Sequence, residues 1–141
     1  MEAQGFIAMR KNSSKPALGN YEHRIFAHHL YEYEKGLRNL VLFTTTALSK
    51  DAIEERLKAK NINCHVQEVN GAKVNIFFGD KVCIDIVRCM SFKSVSDLTA
   101  EEDFILGVML GYDRLKQCER YLKRKHKRAN LDLRNEGECQ S

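Results

Sequence analysis

The sequence predicts an α+β fold: a small mixed sheet of about three strands packed by helices, with a long C-terminal helix. Three observations predict it. Leu40 to Thr46 is a short apolar run ending in three threonines, two strand-like runs flank Asn70-Gly71, and the remaining ordered stretches carry apolar residues at helical spacing. With 141 residues, 43% of them hydrophobic, the chain fills one core and is too short for two full domains.

Residues 1–19 mix Gly, Ser, Asn, Lys and the only proline, Pro16, without sustained periodicity, and are expected to form a flexible N-terminal arm. The domain proper is expected over 20–126. Its first element, Tyr21 to Lys35, places Ile25, Phe26, His29, Leu30 and Tyr33 at helical spacing, with Gly36 at a left-handed stop. The same stretch also reads as an alternating strand, since Tyr31 and Tyr33 suit a sheet.

Leu40, Val41, Leu42 and Phe43 form an apolar run expected of a strand buried on both faces. Ser49 then caps a helix to about Lys60, with Asp51 in the first turn and Leu48 placed to staple against Ile53; Asn61 ends it. Cys64 to Val69 and Lys73 to Phe78 form a hairpin around Asn70-Gly71, the pair best suited to a type I′ turn. Asp80 caps a short helix to about Met90, although Val82, Ile84 and Ile86 also alternate as a strand would. Thr99 and Glu102 make a capping box for a helix running to about Lys125, which at ~1.5 Å per residue projects beyond so small a domain. A flexible tail is expected over 127–141.

The formal charge is +4, but it is uneven: Arg114 to Arg128 holds eight Lys/Arg against the single Glu119. No run approaches a ~20-residue membrane span, and the apolar Gly5 to Met9 is too short for a signal peptide. The five cysteines show no Cys-x-x-Cys pair; four are read as buried apolar residues and Cys139 as an exposed thiol. Together these features predict a cytoplasmic protein.

The most conspicuous candidate surface is a cationic stripe of Arg114, Lys116, Arg120, Lys123, Arg124 and Lys127, able to attract an acidic protein or phosphates. A solvated helix end whose cations complement the dipole explains the same residues. His28, His29 and Glu32 are weak metal candidates within one helical turn, and a hydrogen-bonded core histidine is the commoner outcome for His29. Glu101, Glu102 and Asp103 suit a helix first turn, Asp113 beside Arg114 reads as a surface arrangement, and Gly107 with Gly111 allows close packing. Gly79-Asp80 is weak evidence for an anion at a helix N-terminus. Neither a nucleotide fingerprint nor a nucleophile elbow is present, so no cofactor and no catalytic residue is assigned.

Three segments carry a resemblance: His28-His29-Leu30-Tyr31-Glu32 through Lys35 to Leu42, Val74 to Gly79, and Leu98-Thr99-Ala100-Glu101-Glu102-Asp103-Phe104-Ile105-Leu106-Gly107 through Gly111-Tyr112-Asp113. Over about Tyr21 to Lys125 the chain resembles the small bacterial family catalogued as domain of unknown function twenty-twenty-three. The resemblance transfers no activity and no site residue. It implies a setting, since members are often encoded beside a flavodoxin, a typically acidic protein. The reading that follows is a non-enzymatic accessory that docks onto a flavodoxin through its basic helix. Two others stay open: a nucleic-acid-associated protein using the same stripe, and an enzyme or metal protein centred on His28, His29 and Glu32. Oligomeric state is open, a dimer included.

Overall fold

Apolar residues recurring every three to four positions alternate along the chain with runs that keep β-branched and aromatic residues together, and each pattern takes its expected form. In the computed structural model, which describes residues 19–90, 92 and 94–139, helix α1 spans Asn20–Glu34 and strand β1 spans Leu40–Thr46. A 3-10 turn, Ala47–Ser49, leads into α2, Lys50–Ala59; strands β2, Asn63–Glu68, and β3, Lys73–Gly79, follow. Helix α3 is Lys81–Cys89, a second 3-10 turn is Val95–Asp97, and α4, Ala100–Met109, precedes α5, Arg114–Cys139. Tyr21 to Glu34 and Lys81 to Cys89 are therefore helices, and the strand alternatives fall away. The N-terminal arm lies outside the described residues.

The strand order is β1-β3-β2 and both ladders are antiparallel, so the sheet is antiparallel rather than mixed. The reason is topological: β3 returns between β1 and β2, separating the two strands that run the same way. Alternation then sorts the side chains. Val41, Phe43, Val74, Ile76 and Phe78 face Phe26 and Leu30 of α1 and Ile53 and Leu57 of α2. Leu40 and Phe77 face the opposite way, against Ile84, Val87, Leu98, Leu106 and Leu110. Helices thus cover both faces, and Leu40 and Val41 are fully buried although β1 is an edge strand. One row on the second face is polar: Thr44 donates to Asn75 at 2.7 Å, Asn75 to Gln67 at 3.3 Å, and Gln67 to the Phe92 carbonyl at 2.9 Å.

Three helices stop in the same way. Gly36 (φ 76°), Asn61 (φ 57°) and Gly111 (φ 80°) take left-handed conformations just past α1, α2 and α4. Each sits between paired return hydrogen bonds, such as Gly111 to Val108 at 3.0 Å and Tyr112 to Gly107 at 3.1 Å.

The last of these stops overturns the single long helix. Left-handed Gly111 ends α4, and Asp113 starts a new helix by accepting the Lys116 N–H at 2.9 Å. Helix α5 therefore packs back on α4 as a hairpin before running on. Its 26 residues span about 39 Å. Regular helix reaches Cys139, across much of the segment expected to form a tail.

Smaller expectations also change. Neither Asn70 nor Gly71 has a positive φ, so the hairpin turn is not type I′; the Asn70 carboxamide instead accepts from the Ala72 and Lys73 N–H groups at 2.8 and 2.9 Å. Ser49 and Asp80 hold N-cap positions without a capping hydrogen bond, because Ser49 donates to Glu22 at 2.8 Å and Asp80 accepts from Tyr33 at 3.0 Å. Leu48, at 71% exposure, is no staple. Cys64 and Cys83 are only half-buried, packed at the margins of the two core clusters, and Cys89 and Cys118 are exposed. The Cys139 side chain lies outside the description.

Candidate docking surface

The α4–α5 hairpin is held by charge. The Thr99–Glu102 capping box forms as expected, leaving the other two acids of the triplet free to reach across to α5. Asp103, buried at the hairpin seam, accepts from Arg120 Nε at 2.8 Å and Arg120 Nη2 at 3.1 Å. The same carboxylate lies 2.9 Å from Arg124 Nη1, and Arg124 Nη2 donates to the Leu98 carbonyl at 2.8 Å. Glu101 takes Lys125 at 2.5 Å and the Tyr121 hydroxyl at 3.3 Å. Lys125 holds the Glu101 carboxyl below its usual range, and Asp103 holds the Arg120 guanidinium further above its own.

This clasp divides the cationic stripe. Arg120 and Arg124 are turned toward Asp103, and Lys125 toward Glu101. Arg114, Lys116, Lys123 and Lys127 are exposed, and among the described residues none has a carboxylate at ion-pair distance. Lys116, Lys123, Lys127 and the unforeseen Arg134 recur at intervals of seven, four and seven, which sets them along one face of α5 over ~27 Å. Arg114 lies round the helix from that row. Every residue from Lys125 to Asn135 is exposed, so the second half of α5 offers its cations beyond the packed body.

Round α5 from this row lies a second feature. Glu101, Phe104 and Ile105 of α4 and Cys118, Tyr121 and Leu122 of α5 line an open groove of ≈ 520 Å³. Tyr121 stacks near Phe104 with ring centroids 5.7 Å apart. Cys118, Tyr121 and Leu122, at helical spacing on α5, carried the signal for this groove.

His28, His29 and Glu32 do not converge. His28 Nε2 lies 2.8 Å from Glu32 Oε1 on the outer side of α1, whereas His29 Nδ1 accepts from Arg38 at 3.2 Å and its ring packs against Phe43. Burial first, then the Arg38 charge, lower the His29 pKa. Among the described residues no group of three or more His, Cys, Asp or Glu is placed to hold a metal ion. At the start of α3 the Asp80 carboxylate, rather than an open N-terminus, meets Tyr33.

The pattern of a protein family described as "Protein of unknown function (DUF2023)" matches residues 24–124. The chain belongs to that family. The matched range takes in the sheet, both packed faces and the α4–α5 clasp through Arg124, while Lys127 and Arg134 lie beyond it. No curated protein matches the chain. No helix among the described residues is long and apolar enough to cross a membrane.

Proposed function

We propose that this DUF2023 protein is a non-enzymatic accessory that docks onto an acidic protein, a flavodoxin in the setting its family resemblance implies, through the outward cations of α5. The observation that supports the reading is the division of charge on one helix. Arg120, Arg124 and Lys125 serve the hairpin, while Lys116, Lys123, Lys127 and Arg134 share an exposed face without carboxylate partners among the described residues. Such a row raises the encounter rate with an acidic surface and weakens as salt screens it, the behaviour of transient charge-steered complexes.

Nucleic acid is less well served by the same row. Tyr121 turns away from the row, toward Phe104 and Glu101, and so offers it no base-stacking platform. Calorimetric titration with the flavodoxin of the same organism, at low and near-physiological salt, tests the proposal. It predicts saturable binding that weakens with salt. Absence of binding in both conditions, with saturable binding of RNA or DNA in a parallel anisotropy titration, refutes it.

A further inference from the structure

The α4–α5 hairpin does not close completely over the second face of the sheet. A pocket of ≈ 300 Å³ is left there, floored by Leu42 of β1 and by Leu106 and Leu110 of α4, with Val95 of the second 3-10 turn as a wall. Part of the space exists because Gly107 brings no side chain. The Gln117 side chain lies directly against it, where a Cβ would collide. Unpaired donors border the pocket. Arg120 Nε and Nη2 serve Asp103, which leaves the Nη1 amino group without an acceptor among the described residues. Neither the Gln117 carboxamide nor the Tyr112 hydroxyl has a hydrogen-bond partner among them either. The acid in the lining, Asp103, is buried between Arg120 and Arg124, so these three groups together keep one positive charge. Lys116 and Lys123 stand four residues before and three after Arg120, on its side of α5, and both are exposed. The nearby Asp113 carboxylate is turned to the Lys116 N–H as a cap.

We infer that this pocket binds a small organic anion, a carboxylate carried on an apolar body, with the body on Leu42, Leu106 and Leu110 and the carboxylate at Arg120, Gln117 and Tyr112. A concave apolar floor with a few polar groups at its edge is the form of a small-ligand site. The unpaired donors and the uncompensated charge select the ligand's sign, since charge-assisted hydrogen bonds to an anion are the strong ones. A neutral apolar molecule would leave the guanidinium unmatched, and a bare inorganic anion would leave the floor uncovered. The inference goes beyond the docking role proposed above and does not depend on it.

The test follows the backbone amide NMR signals of the full chain as 3-phenylpropionate is added. Two controls accompany it: 3-phenylpropanol keeps the apolar body without the charge, and acetate keeps the charge without the body. Saturable shifts centred on Leu42, Val95, Gly107 and Gln117 are expected with 3-phenylpropionate, and affinity weaker by about tenfold or more with each control. Tyr112→Phe/Gln117→Leu removes donors at the border without touching the Asp103 clasp. It should bind 3-phenylpropionate several-fold more weakly while keeping the parent's urea midpoint. Absence of saturable shifts, shifts spread along the α5 cations instead of the pocket, equal affinity for 3-phenylpropanol, or unaltered affinity in the variant overturns the inference. If a flavodoxin moves these amides and 3-phenylpropionate does not, the pocket serves protein docking alone and the inference fails. If 3-phenylpropionate binds as expected and no acidic protein does, the inference stands and the docking role fails.

Discussion

Asp103 accepts two hydrogen bonds from Arg120, at 2.8 and 3.1 Å, and lies 2.9 Å from Arg124, one turn further along α5. One buried carboxylate thereby sets the direction of the helix that carries the exposed cations. Replacing it by alanine leaves Arg124 facing the seam without its counterion. Charge-assisted hydrogen bonds of this kind contribute ~1.5–3 kcal/mol, and partial exposure of Arg120 puts the expected loss for Asp103→Ala toward the lower end. Urea denaturation checks it; a change under about 0.5 kcal/mol would show that the clasp does not hold the hairpin.

Gly79 and Gly111 both have positive φ, at 150° and 80°, but differ in surroundings. A Cβ at Gly111 meets nothing within 4 Å, so Gly111→Ala costs only left-handed strain, ~1–2 kcal/mol. A Cβ at Gly79 would collide with the Asn39 backbone carbonyl, which also accepts the Asp80 N–H at 2.9 Å and cannot retreat freely. Gly79→Ala should be the more destabilising of the two in parallel thermal melts, and the reverse order would contradict the close approach.

The Thr45 hydroxyl is buried with no hydrogen-bond partner, on the face of β1 that meets Val74. Thr45→Val keeps the shape and removes the unsatisfied group, so it should stabilise the protein by ~0.5–1 kcal/mol. A lower melting temperature for the valine variant would mean that the hydroxyl is satisfied.

Burial and then the Arg38 charge hold His29 below its ordinary pKa of 6.5, with Glu32 opposing; burial and then Arg88 do the same for His65. For a base depressed by folding, the unfolded chain takes up the proton first. Stability is therefore level above the unfolded value and falls as pH drops through it toward the folded value. Urea midpoints at about pH 7.5 and about pH 5.5 should show this decline, and His29→Gln should make it shallower. A decline of the same size in the variant would remove His29 as a contributor.

Local chemistry made much of the fold legible. Apolar spacing located the three strands, α2 and, with a strand reading left open for each, α1 and α3, and Thr99 with Glu102 marked the start of α4. Sheet direction was harder, because nothing local in Lys73 to Gly79 says that this strand inserts between the other two. The α4–α5 break was present in the residues as a glycine stop followed by an aspartate cap, Gly111-Tyr112-Asp113, but helical periodicity on both sides concealed it. Once the chain turns there, Asp103 and Arg120, far apart along a continuous helix, come into contact. The basic run was visible as composition, and its division into inward and outward cations depends on that turn.

The most direct measurement compares two double variants for stability and for affinity toward the proposed partner, an acidic flavodoxin, at low salt. Lys123→Gln/Lys127→Gln should bind several-fold more weakly with an unchanged urea midpoint, because its side chains are exposed and unpaired among the described residues. Arg120→Gln/Arg124→Gln should lower the urea midpoint, because its side chains hold Asp103. Parent-like affinity in the lysine variant, together with parent-like stability in the arginine variant, would contradict the division of labour along α5 on which the functional account rests.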